Sequence, residues 1–323
     1  MAKRFLLPCV VAVAVLLSCS SGDRLAVNSV GPPPVQDLAL ARHDPQGFVA
    51  LPFEKLPFMN ANISSCRSFL EPVDSDGIEM SLFYGAACYH PVNLCHRTLG
   101  FISAYFQTRD TFFLGRAERT TRKLMQLCEF QDSAAFASYQ FPFNVHGDSR
   151  NHCESPWFSG MAQGEFLEVL VRLFEVTQDS SYLDFANRVF VSLEHLHLQN
   201  SRWVAQLDSD RYYWIEEYPL ENGMDQTLNG FIAAVFGVYD YYRVTGTGRA
   251  KSIYELSLTT LKRYLPEFRR PGLRSYYCLG HRVIASDGYH ALHCNQLHYL
   301  AGITGDQYFE DMARLFESDV AGQ

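Results

Sequence analysis

The sequence predicts an all-α protein made of antiparallel helix pairs in series, the plan of an α/α toroid or a solenoid. Three observations lead there. Beyond about residue 90, apolar residues recur at three-to-four spacing, the period of a helix with one buried face. The periodic stretches come in pairs joined by short turns of Gly and polar residues. Several pairs are preceded by a longer segment rich in aromatic and charged side chains, which in a toroid gathers at one rim.

Taken in order, residues 94–106 form the first helix and residues 112–127 the second. The second sets Leu114, Ala117, Leu124 and Leu127 against Arg and Glu. Residues 159–176 place Met161, Phe166, Leu167, Leu170, Val171 and Phe174 on one face. Residues 180–198 follow after a Gln-Asp-Ser turn. Residues 228–242 and 249–264 pair through Thr245-Gly-Thr-Gly248, and residues 290–301 and 307–316 through Gly302-Ile-Thr-Gly305. The expected rim segments are Phe141-Pro-Phe-Asn144, Trp214-Ile-Glu-Glu-Tyr-Pro219 and residues 275–289. The residues before the third helix read as largely helical.

The amino terminus reads as a processing signal. Lys3 and Arg4 precede a 13-residue apolar run ending in Leu16-Leu17-Ser18-Cys19, which is short for a bilayer span. Leu16 three places before Cys19 resembles a bacterial lipoprotein processing site, with lipidation at Cys19. The expected organisation is a signal over 1–19, a flexible tether over 20–46 containing Gly31-Pro-Pro-Pro34, and a catalytic toroid over 47–323. The chain is then exported and anchored to a membrane facing the periplasm or the exterior.

A formal charge of -8 with no basic run argues against nucleic acid as a partner. An acidic ligand would need a locally positive groove. The cysteines Cys66, Cys88, Cys95, Cys128, Cys153, Cys278 and Cys294 show no C-x-x-C spacing. On spacing alone no metal site and no cofactor are expected, though a bound divalent cation stays open. No G-x-G-x-x-G, P-loop, H-E-x-x-H or G-x-S-x-G occurs, which turns the reading away from nucleotide chemistry, zinc proteolysis and α/β-hydrolase catalysis.

The chemistry concentrates in Glu216, Glu217 and Tyr218. Adjacent acids repel, so the fold must give them a partner, a hydrogen bond or a shared proton. A carboxylate beside a phenol can take a proton and return one. Five blocks, in order, carry a resemblance: Ser159-Gly-Met-Ala-Gln-Gly164; Glu216-Glu-Tyr-Pro219; Leu228-Asn-Gly-Phe231 with Gly237-Val-Tyr-Asp240; Ser275-Tyr-Tyr-Cys-Leu279; and Tyr289-His290 with His293, Asn295, Gln296 and Leu297. Over roughly residues 155–317 the chain resembles the C-terminal domain of the D-glucuronyl C5-epimerases.

That resemblance implies an incomplete α/α barrel and an exchange of the C5 proton of a uronate, glucuronate to iduronate, in an anionic heparan-type polysaccharide. It implies Glu217 and Tyr289 as the proton-transfer groups, supported by Tyr218 and Tyr277. It places Gln163, Glu216, Asn229, His290, His293 and Asn295 near substrate, His290 and His293 through structural or orienting hydrogen bonds. Tyr139 and Asn144 are rim candidates for sugar contact. The family's Y-D-L-R carries an arginine that pairs with the uronate carboxylate; here Tyr277 is followed by Cys278-Leu-Gly-His281-Arg282, so Arg282 or His281 is expected to replace it. Alternative readings are a lyase or hydrolase on the same toroid, or a non-catalytic glycan-binding lipoprotein. A homodimer is open on sequence grounds.

Overall fold

The computed structural model describes residues 37–321. The signal over 1–19, its Cys19 and most of the tether lie outside the described residues. The elements run in chain order as α1 (Ile63–Arg67), β1 (Ser81–Phe83), β2 (Ala86–Cys88), α2 (Pro91–Thr108), α3 (Thr111–Gln126), β3 (Cys128–Gln131), β4 (Ala134–Tyr139), β5 (Phe143–Asn144), β6 (His152–Cys153), β7 (Trp157–Phe158), α4 (Gly160–Thr177), α5 (Ser180–Ser192), β8 (Ala205–Leu207), β9 (Tyr213–Ile215), α6 (Leu228–Thr245), α7 (Gly248–Phe268), α8 (Asp287–Thr304) and α9 (Gln307–Val320).

The expected helix pairs are α2–α3, α4–α5, α6–α7 and α8–α9. The inner members α2, α4, α6 and α8 each have 18 residues. All four turn into their outer partners through one three-residue device: Thr108-Arg109-Asp110, Thr177-Gln178-Asp179, Thr245-Gly246-Thr247 and Thr304-Gly305-Asp306. The middle residue is left-handed and ends the inner helix. The third residue's side chain accepts an N–H from the first turn of the outer helix. The threonine hydroxyl donates to the carbonyl four residues back and accepts the N–H of the capping residue.

The inner helices run parallel in an arc α2–α4–α6–α8. His96 of α2 meets Glu165 of α4 at equal depth, and Arg172 of α4 meets Asp240 of α6 at equal depth. Helices α4 and α6 touch backbone to backbone. A Cβ on Gly164 would lie 2.6 Å from Ala234 Cβ, and one on Gly237 would lie 2.6 Å from the Gly164 carbonyl carbon. This close approach accounts for the glycines of two motif blocks through packing. Parallel inner helices put the starts of all four, capped by His90, Ser159, Thr227 and Ser286, at one end of the barrel.

Two expectations change. The helix foreseen over 180–198 stops at Ser192, because the chain turns back and Leu196 bridges Ala205 beside the β8–β9 hairpin. The residues before α4 are less helical than their composition suggested. A β1–β2 hairpin precedes α2, and β3–β4–β7 and β5–β6 fill the stretch between α3 and α4.

The amino-terminal segment also differs from a tether over its described part. Residues 43–62 pass beneath the carboxyl ends of the inner helices. Asp44 and Gln46 bond the Thr259 hydroxyl of α7, the Val49 N–H donates to Ile303 of α8, and the Leu51 N–H to the Tyr239 hydroxyl of α6. The Pro57 carbonyl accepts from Arg172 of α4, and the Ala61 N–H bonds Ser103 of α2. This strap closes the floor, and Phe58 packs there against Phe236 and Tyr299. The opposite end of the barrel is left open for a site. Among the described residues, no helix is long and apolar enough to cross a membrane.

Candidate active site

At the open end, the segment after β9 delivers Glu217 onto the first turn of α6. Its carboxyl group lies against Gly230, where a Cβ would overlap Oε2 and sit 2.8 Å from Glu217 Cβ. Glycine at that position is what lets an acid occupy the helix start. Three phenols surround it. The Tyr277 hydroxyl is 3.4 and 3.5 Å from the two carboxylate oxygens. The Tyr218 phenol lies beside both Glu217 and Tyr277 and interacts with each. The Tyr277 and Tyr289 rings meet edge to face at 4.8 Å. The four residues named as catalytic candidates thus form one cluster, with Tyr277 between Glu217 and Tyr289.

Burial pushes Glu217 up to about 8, against the hydrogen bond from Tyr218 that favours its anion. Tyr289 is pushed up to about 12, first by burial and then by the charge of Glu217. Tyr218 and Tyr277 lie well above the ordinary phenol value for the same two reasons. Near neutral pH the cluster holds protonated phenols around a carboxyl group poised to lose its proton.

An aromatic wall continues from Tyr218. Phe143 stacks on Tyr218 at 5.6 Å, and Trp157 lies parallel to Tyr139 at 4.0 Å. Phe83 from the β1–β2 hairpin stacks on Phe141 and His90. Tyr139 is buried behind Trp157, and its hydroxyl accepts the Val92 N–H, so it supports the wall from behind. Asn144 is bonded to His152 at 2.6 Å across the β5–β6 pair.

Several substrate-binding expectations are corrected. Glu216 faces away from Glu217, buried, accepting the Gln226 N–H at 3.0 Å and the Gln206 amide at 3.3 Å, and is itself pushed up to about 8 by burial. It anchors the rim. Gln163 is fully engaged, accepting the Ala137 N–H and donating to the Ala135 carbonyl and the Ser192 hydroxyl, which fastens α4 to β4 and α5. His290 contacts Ser275 through Nδ1 and the Phe316 carbonyl through Nε2, joining α8 to α9. Arg282 is exposed and its guanidinium stacks on Tyr276, on the opposite side of the strand-like segment from Tyr277. His281 is bound to Asp225. Neither replaces the displaced arginine. Asn295 lies on the exposed face of α8, a different face from Tyr289.

Of the buried polar atoms on α6 and α8 without a hydrogen-bond partner among the described residues, Asn229 Oδ1, His293 Nε2 and Gln296 Oε1 lie toward the Gly230 side. Gln296 donates to the Asn229 carbonyl, so these turns face each other one residue from Gly230. Burial holds His293 down to about 3, so its ring is neutral. Asn229 and His293 therefore each keep a polar atom free inside the barrel.

One residue the sequence did not single out belongs here. His96 of α2 lies 2.6 Å from buried Glu165, and its side chain is 44% exposed at the open end. Burial alone would lower its proton affinity, but the charges of Glu165, Glu168 and Glu217 raise it. Glu165 is the main cause of that rise, and Glu217 adds to it when ionised. The signal available was a histidine on the apolar face of the first predicted helix, one helix away from any motif.

The D-glucuronyl C5-epimerase C-terminus family matches residues 131–318, more than half of the chain. The match begins upstream of the five motif blocks and takes in the β-rich rim. The chain is 29% identical over 172 residues to an uncharacterized protein of Methanocaldococcus jannaschii, covering 53% of each. It is 30% identical over 175 residues to the D-glucuronyl C5-epimerase of Caenorhabditis elegans, covering 49% of this chain and 28% of that one. The chain thus spans about half or less of the curated relatives it matches. Among solved structures, the α-1,6-mannanase of Salegentibacter sp. HEL1_6 is similar with a TM-score of 0.52 at 13% identity, over 81% of this chain and 68% of that one. The cellobiose 2-epimerase of Spirochaeta thermophila gives 0.51 at 13%, over 82% and 65%. At these identities the likeness is one of fold, the α/α toroid.

Proposed function

The chain belongs to the D-glucuronyl C5-epimerase C-terminus family, and from that premise we propose that it epimerises uronate residues at C5 in an anionic polysaccharide. Ionised Glu217 takes the C5 proton, and the electron pair left on carbon delocalises into the sugar carboxylate. Tyr289 returns a proton to the opposite face of the ring. Tyr277 and Tyr218 hold the two groups and pass hydrogen bonds between them. The observation that carries this reading is one buried carboxyl group clustered with three phenols, of which Tyr277 contacts both Glu217 and Tyr289. Each proton-transfer group is worth roughly 10² to 10⁴ in rate.

Charge developing on the substrate carboxylate needs a counter-charge. His96 supplies a cation in place of the displaced arginine. The four inner helix starts add positive ends of helix dipoles at the same end of the barrel. The aromatic faces of Phe143, Trp157 and Tyr218 give a platform for pyranose rings. Export and lipid anchoring through Cys19 are the sequence-based part of the same proposal.

The test is incubation of the full chain with a glucuronate-rich uronan, such as heparosan, in heavy water. Proton NMR should show deuterium entering at C5 and new signals of the C5 epimer, with no rise in ultraviolet absorbance. Growth of an unsaturated uronate would make it a lyase. Absence of exchange on every uronan tried, with polysaccharide affinity retained, would make it a binding protein.

A further inference from the structure

We infer that His146, Asp225, Cys278 and His281 form a binding site for a divalent transition metal of the zinc class at the rim of the barrel. One donor atom from each of these residues lies within 4.8 Å of all the others. They come from three separate segments: the turn after β5, the stretch between β9 and α6, and the loop between α7 and α8. Tetrahedral zinc, with bonds of about 2.0–2.3 Å, sets its ligand atoms roughly 3.3–3.8 Å apart. The cluster needs only small side-chain adjustments to reach that spacing. Two imidazoles, a thiolate and a carboxylate suit zinc, whereas calcium and magnesium take oxygen ligands.

The four side chains converge on the Asp225 carboxylate. His146 Nε2 is 2.7 Å from Asp225 Oδ1 and 3.4 Å from Cys278 Sγ, and His281 Nδ1 is 2.8 Å from the same Oδ1. A metal ion satisfies all four donors once the thiol proton leaves to solvent.

The outer contacts have the form that metal ligands take. The Thr227 hydroxyl donates to Asp225 Oδ2, leaving Oδ1 to face the cluster. The Asn151 amide nitrogen is 2.8 Å from His281 Nε2; with the amide turned over, its oxygen accepts the Nε2–H and leaves the Nδ1 lone pair for the ion. The loop closes because residue 280 is glycine, since a Cβ there would overlap the Met224 carbonyl oxygen. The Gly280 and Leu279 N–H groups then bond the carbonyls of Asp225 and Gln226.

The ion's role is positioning. The His146 ring lies 5.8 Å from that of Tyr277 and 6.2 Å from that of Tyr218. A bound metal ties this turn to Cys278, the residue after Tyr277. Of its ligands only Cys278 and His281 are near neighbours in sequence, so cysteine spacing concealed the site.

The full chain, purified without chelator and desalted, should carry one zinc per chain by elemental analysis. Stripped and refilled with cobalt(II), it should show a thiolate-to-metal charge-transfer band. Cys278→Ser should lose that band, and Cys294→Ser, at a thiol far from the cluster, should keep it. Zinc should raise the Tm of the stripped wild-type protein and leave that of His281→Ala unchanged. A folded wild-type chain with no stoichiometric metal and no cobalt–thiolate band overturns the proposal, whether or not the variants fold. A band that survives in Cys278→Ser also overturns it.

Discussion

Gly230→Ala is a change of one methyl group that should silence the site while sparing the fold. The new Cβ would overlap Glu217 Oε2, and would lie 2.8 Å from Glu217 Cβ and 2.9 Å from its carboxyl carbon. Ordinary contact needs at least 3.4 Å, so the carboxyl group must swing away and the 216–218 backbone must move by about half an ångström. Displacing a catalytic group by about 1 Å costs on the order of 10²-fold in rate. Overpacking costs about 1–3 kcal/mol of stability, partly offset by the better helix propensity of alanine. The control is Gly115→Ala in α3, where nothing lies within 4 Å of the added methyl. It should keep full activity and gain up to about 1 kcal/mol. Deuterium incorporation at C5 gives the rate and thermal denaturation gives the stability. Wild-type exchange in Gly230→Ala would refute the placement of Glu217 in the chemistry.

Glu216→Gln should become more stabilising relative to wild type as the pH rises. The folded value near 8 lies above the ordinary 4.5, so the unfolded chain holds fewer protons between those values and wild-type stability falls as pH rises through that window. At about 1.4 kcal/mol per unit the difference approaches an upper limit on the order of 5 kcal/mol by pH 9 and is near zero at pH 4; denaturant titrations at both pH values read it, and a pH-independent difference would contradict the buried acid. Exchange at C5 should rise with pH through about 8, because Glu217 acts as a base only when ionised. A rate flat from pH 6 to 9 would remove it from that role. His96→Gln, which keeps a donor for Glu165 and loses the charge, should lower kcat/KM on a uronan by roughly 10- to 100-fold, the worth of a charged hydrogen bond. An unchanged value would assign the counter-charge elsewhere.

The architecture was legible because each helix announces itself twice, through its apolar period and its stop. The turns at 108–110, 177–179, 245–247 and 304–306 repeat one Thr-x-Asp/Thr pattern, a sign of four equivalent hairpins. The candidate cluster was legible through motif order, since Glu217, Tyr218, Tyr277 and Tyr289 came together. The errors share a cause. Gln163 and Glu216 have the residue types of a binding site, yet each has its hydrogen-bonding groups taken up by backbone or neighbours, which depends on contacts distant in sequence, whereas His290 makes the structural bonds expected of it. Arg282 was assigned by nearness to Tyr277, but adjacent residues in an extended segment face opposite ways. His96 and the strap over 43–62 depend on tertiary contacts alone. Glu165 lies far along the chain from His96, and Tyr239 far from Leu51.

Solvent deuterium exchange at C5 by Glu217→Gln and Tyr289→Phe, each confirmed as folded and polysaccharide-binding, tests the central claim most directly. The account predicts that both lose exchange by at least about 10²-fold, while Asn295→Ala, on the outer face of α8, stays near wild type. Retention of wild-type exchange by either of the first two would contradict it.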